Sequence, residues 1–177
     1  MENKRGNKKN KRAQGVFGMS FGMIFSIILI VFFVAVAFIA IKSFLGTQTC
    51  AQIGIFKDNL QAEVTETWPN TGDFEFKARL PTKIKYVCFM DLDKPVTATG
   101  TTGNIGRELG VYEGYIANMF LYPTENTCNM PYYEIEHLDI NKTISSKNPY
   151  CIAVDDGNIN MRIIKKSGDK LVTITEE

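Results

Sequence analysis

The chain opens on polar and basic positions, turns uncharged at Val16 and meets no charge again until Lys42. The 26 residues Val16–Ile41 predict a helix of about 39 Å, enough to cross a bilayer with some tilt. In lipid such a segment must be helical, because only a helix pairs its own backbone donors and acceptors there. After Lys42 the pattern becomes amphipathic. Ile53, Phe56, Leu60, Val64 and Trp68 recur at spacings of three and four, a single apolar stripe, while Lys57, Asp58, Gln61 and Glu66 fall on the other faces. Pro69 ends this helix. No proline interrupts Val16–Trp68, so one long helix is expected, with two helices broken near Gly46 as the alternative.

The period then shortens to two. In "DFEFKARL" Phe74, Phe76, Ala78 and Leu80 alternate with Glu75, Lys77 and Arg79, which predicts a half-buried strand. Pro81-Thr82 suits a reversal, and "KIKYVCFM" is the next strand, with Ile84, Tyr86, Cys88 and Met90 on one face. "DLDKPVTATGTTGN" reads as a polar loop, "RELGVYEGY" as a short helix, and "IANMFLYP" and "YYEIEHLDI" as two further strands. The final third reads as a three-stranded antiparallel meander. Its turns are at Asp156-Gly157, where both residues tolerate positive φ, and at Ser167-Gly168-Asp169. The fold class that follows is α+β, a long N-terminal helix whose apolar stripe packs on an antiparallel sheet.

Charge gives the apolar run a direction. The first 14 residues carry six basic side chains against one acid, Glu2; from Gly46 onward 13 basic residues oppose 18 acidic ones. A basic tail directly before an apolar span is a topology determinant rather than a nucleic-acid patch. It places the N-terminus in the cytoplasm and residues 46–177 outside the cell membrane. A cleavable secretory signal competes with this anchor, since Ala35-Val36-Ala37 fits small-x-small cleavage and would start the mature chain at Phe38. The apolar stretch before that site is longer than the usual 7–15 residues or so. Gly18, Gly22 and Ser26, four apart, lie on one helix face in the small-xxx-small pattern that lets membrane helices approach closely. The expected partners are therefore the bilayer and either a second copy or another membrane helix.

In "KRAQG", two basic residues and a small residue precede Gln14, and a long apolar helix follows. This resembles the class III signal peptide of archaeal type IV pilin-like proteins, over residues 11–45. The resemblance implies cleavage on the cytoplasmic side between Ala13 and Gln14, retention of the apolar helix as a filament core, and a pilin-like β-rich head. The sequence departs from that pattern at the fifth mature position, where the family carries Glu and this chain has Gly18. In the family that Glu meets a neighbour's N-terminal amine, so the departure bears on filament assembly rather than on anchoring.

Cys50, Cys88, Cys128 and Cys151 all follow the apolar run. An even number in an external domain, without C-x-x-C or paired zinc-ligand spacing, predicts two disulfides. Three pairings exist. If the helix rises from Cys50 and the second strand climbs away from the bottom turn, Cys88 ends roughly 20 Å above that turn at 3.3 Å per residue. Cys50 then pairs with Cys128 or Cys151. Asn141-Lys142-Thr143 is an N-glycosylation sequon that an external topology makes usable.

Enzyme chemistry has little to stand on. His137 is the one histidine, placed in a strand near Glu134 and Glu136. Asp91 and Asp93, and Asp155 and Asp156, are explained by turns. "TGTTGNIG" lacks the Lys-Ser/Thr of a phosphate loop. No catalytic residue, metal ligand or cofactor is assigned. The expected plan is a basic cytoplasmic tail or cleaved leader (1–15), a transmembrane helix (16–41), a membrane-proximal amphipathic helix (42–68) and an external β-rich domain (69–177). The expected role is non-enzymatic: a pilin-like subunit or pilin-related envelope or adhesion component. The alternatives are a permanently anchored extracellular binding domain and, third, a tethered enzyme.

Overall fold

The computed structural model describes residues 21–176. The basic tail, Ala13, Gln14 and Gly18 lie outside the described residues. The chain divides into two compact units, Met1–Leu45 and Gly46–Glu177.

In the first unit, side chains 22–44 of helix α1 (Phe21–Thr67) are exposed, and most are large and apolar. Among the described residues it is the one helix long and apolar enough to cross a membrane. Ser26 Oγ donates to the Gly22 carbonyl at 2.7 Å, so these two small residues share a face and the hydroxyl is satisfied within the helix. The helical assignment continues into the second unit and ends at Thr67, just before Pro69.

In the second unit, the part of α1 from Gly46 onward buries the expected stripe: Ile53, Phe56, Leu60 and Val64 are each at most 1% exposed. Two members of the pattern are corrected. Trp68 lies just past the helix end and is 40% exposed. It stacks on His137 at 3.7 Å between centroids, and its Nε1 donates to the Lys170 carbonyl. Lys57, expected off the apolar stripe, is nevertheless buried, with its ammonium on the Tyr132 carbonyl and over the Tyr133 ring.

Seven strands form two antiparallel sheets, not one meander: β1 (Gly72–Arg79), β2 (Tyr86–Phe89), β3 (Met119–Tyr122), β4 (Tyr132–Tyr133), β5 (Tyr150–Ala153), β6 (Asn158–Lys165) and β7 (Thr173–Glu176). The orders are β1-β6-β7 and β4-β3-β2-β5. The Asp156-Gly157 turn has the expected positive φ at both residues, 44° and 77°. It carries the chain from one sheet to the other, with only the Asp155–Asn158 bridge across it. The Gly168 turn does make a hairpin, pairing Ile164 with Thr173.

The two-sheet plan explains where strand alternation misleads. On β2, Val87 and Phe89 join the main core with the α1 stripe, while Cys88 and neighbouring Met90 join a second core with Ile105, Leu109, Phe120 and Cys151. Both faces of that strand are covered, so it has no polar side. The second core is roofed by α2 (Gly100–Leu109), followed by a 3-10 turn at Gly110–Tyr112. The glycine-rich string expected as loop is therefore helical. A Cβ on Gly103 would lie 2.4 Å from the Ala98 carbonyl and one on Gly106 2.5 Å from Pro149, so glycine permits this close packing. The expected fourth strand reduces to Tyr132–Tyr133. His137 follows outside any strand with φ 65°, and Leu138 makes a single bridge to Val172. A short helix, α3 (Ile140–Thr143), is capped by Asp139, whose carboxylate accepts from Lys142 N.

Candidate functional site

The four cysteines form two disulfides, Cys50–Cys128 and Cys88–Cys151, with Cα separations of 5.5 and 3.9 Å. The first pair is one of the two that strand geometry allowed for Cys50. It ties α1 to the segment before β4, 78 residues later. The second joins directly opposed residues of β2 and β5 inside the second core. No free thiol remains among the described residues, so a thiolate metal set is not available.

The remaining sequence candidates separate. His137 is engaged by Trp68, and its carbonyl accepts from Val172 N. Asp91 closes a local turn by accepting from Asp93 N and pairs with Lys94 at 3.3 Å. Asp155 exchanges backbone bonds with Asn158. Among the described residues no group of three or more His, Cys, Asp or Glu is placed to hold a metal ion. Asn141 is exposed on α3 and accepts from Lys94 Nζ, whereas Thr143 of the same sequon is buried and its Oγ accepts from Ile174 N. The loop beside it is held by Asn148, 3% exposed, whose Nδ2 reaches the carbonyls of Asp91, Lys94 and Pro95.

Within the second unit the two flanks of α1 differ. On one flank Gln52, Ile55, Phe56 and Asn59 meet Lys77, Ala78 and Arg79 of β1 and Asn158 and Asn160 of β6. Together they line an open groove of about 600 Å³. Ile55 is 58% exposed there. Lys77 pairs along its own strand with Glu75 at 2.5 Å. The groove is thus an apolar floor edged by amides and two cations.

On the other flank Cys50 bonds Cys128, Lys57 Nζ donates to the Tyr132 carbonyl at 3.1 Å, and Gln61 exchanges hydrogen bonds with the Glu136 backbone. Burial lowers the Lys57 pKa from 10.5, and the nearby Asp58 carboxylate partly opposes this. The Tyr132 ring contacts Tyr112 and Tyr115 at 5.3 and 5.0 Å. Those tyrosines belong to the stretch Val111–Ile116, in which Val111 is 75%, Tyr115 55% and Ile116 78% exposed. Beside it lies a cavity of about 400 Å³, lined by Tyr115 and Ile116 together with Asp91, Asp93 and Glu134.

Sequence reasoning missed both surfaces. Their signal is apolar residues that fit no period: Ile55 between two stripe members, and "VYEGYI" between glycines. Comparison of the chain with protein-family models, curated proteins and solved structures finds no match.

Proposed function

We propose that the chain is a single-pass membrane surface protein of pilin-like plan. Its apolar helix is held in the bilayer, and its disulfide-bonded α+β unit faces outward in a structural, non-enzymatic role. The observation that carries this reading is α1 itself, whose apolar side chains 22–44 are exposed and need lipid or neighbouring helices as solvent. Two disulfides support an oxidising location for the second unit. Gly22 and Ser26 continue the small-residue face on which helices approach closely.

The Gly18 departure favours one second reading, an anchored external binding domain that does not assemble. Mass spectrometry of the N-terminus of the native membrane protein separates them. A start at Gln14 supports prepilin-type processing. An intact basic tail leaves a plain anchor, and a start at Phe38 overturns both.

A further inference from the structure

We propose that the second unit docks side by side with a second copy of this chain, the Val111–Tyr115–Ile116 loop of one copy seated in the Ile55 groove of the next. This rests on the reading of the chain as a self-associating membrane surface protein, and names the surfaces by which it does so.

Three observations carry it. First, Val111, Tyr115 and Ile116 are among the most exposed large apolar side chains of the second unit, and they come from a short stretch of chain. Packing of Tyr112 and Tyr115 against Tyr132 holds that stretch in place. Second, the groove offers an exposed apolar residue, Ile55, within a depression of about 600 Å³. Third, the charges are complementary. The groove's lining holds two cations, Arg79 and Lys77, and no carboxylate; Lys77 also pairs with Glu75 along its own strand. Asp93, Glu113 and Glu134 are exposed around the loop.

The placement determines the kind of contact. At 100° per residue, Gln52, Ile55 and Asn59 point roughly 170° away from Cys50, Lys57 and Gln61 around α1. Groove and loop therefore occupy opposite flanks of the helix within one unit. A two-fold contact of loop on loop would bring like carboxylates together. Loop into groove pairs opposite charges, and being heterologous it can repeat from copy to copy. A single loop in a single groove is smaller than the roughly 1,000 Å² of an independent soluble interface. It therefore acts among copies whose membrane helices already raise their effective concentration.

The test uses the full-length chain in reconstituted vesicles, mixing unlabelled and nitrogen-15-labelled copies in equal amounts. A carbodiimide joins carboxylates to amines in contact, and mixed-isotope peptides identify links between copies. The expected links join Lys77 to Asp93, Glu113 or Glu134. Ile116→Asp should lower their yield about fivefold or more with both disulfides intact. The paired exchange Lys77→Glu with Glu113→Lys should retain them in reversed polarity. Links between copies only elsewhere, or none, overturn the docking. A Gln14 start without Lys77 links refutes the docking alone. An intact basic tail with no links between copies refutes the filament reading as well.

Discussion

At the scale of single residues, the informative positions are those where a side chain or its absence meets a constraint from a distant part of the chain. Lys57 lies in an otherwise apolar setting, with its ammonium on the Tyr132 carbonyl and 4.9 Å from the Tyr133 ring centroid. Desolvation lowers its folded-state pKa below 10.5, so the unfolded chain binds more protons in the window just below that value. Stability therefore rises with pH through this window, as the cost of burying the charge disappears. Lys57→Met should remove that rise. Urea midpoints measured from neutral pH to about 10.5 should show the difference between wild type and variant moving in favour of wild type as pH increases. Gly157 has φ 77°, and an added Cβ would lie 2.7 Å from the Leu80 carbonyl. Gly157→Ala should cost about 1–3 kcal/mol in chemical denaturation, since strained φ and a backbone clash act together.

At the scale of elements, α1 shows how one helix takes two environments. Residues 22–44 are exposed, and up to Ile41 they are uncharged and apolar on nearly every side; from Ile53 onward only one stripe is buried. Phe56 is 1% exposed and packs on Phe76 with ring centroids 6.2 Å apart. Phe56→Ala should destabilise the second unit by about 3–5 kcal/mol. Ile55→Ala, one position away, should change stability by no more than about 0.5 kcal/mol, because its side chain makes little of the core. A parallel denaturation series reads both. The contrast also separates folding from docking, since both residues line the groove but only Ile55 is exposed there, while Phe56 is packed into the interior. Strand β2 makes the converse point, for its alternation is real but both faces are inside.

At the scale of the molecule, two disulfides close loops of 78 and 63 residues. Chain entropy alone makes them nearly equal, at roughly 4–5 kcal/mol each. Their surroundings differ. Cys88 and Cys151 sit in the second core at 0% and 5% exposure, so replacing both with serine also buries two hydroxyls in apolar surroundings. The Cys88→Ser, Cys151→Ser pair should therefore lower the denaturation midpoint more than the Cys50→Ser, Cys128→Ser pair, measured on otherwise identical protein. Equal losses would mean that loop closure, not burial, dominates.

Local pattern was enough for much of this protein. The uncharged run from Val16, the stripe Ile53, Phe56, Leu60 and Val64, and the turn at Asp156-Gly157 each follow from side chains a few residues apart. Helix periodicity and turn stereochemistry are local physics. The cysteine count likewise pointed to two disulfides, and strand rise restricted the partner of Cys50. What remained undecided depended on which distant surfaces meet. Two sheets replaced one meander because β6 pairs with β1, far back in the chain, instead of with β5. The glycine-rich string is helical as α2, whose Ile105 and Leu109 join the second core, and Ala98 and Pro149 leave no room for a side chain at Gly103 and Gly106. Lys57 was buried by a strand that no neighbour in sequence announces. The groove and the Val111–Ile116 stretch belong to the same class. Their residues come from separate elements, and exposure is a property of the packed whole, so only the tertiary structure brings them into view.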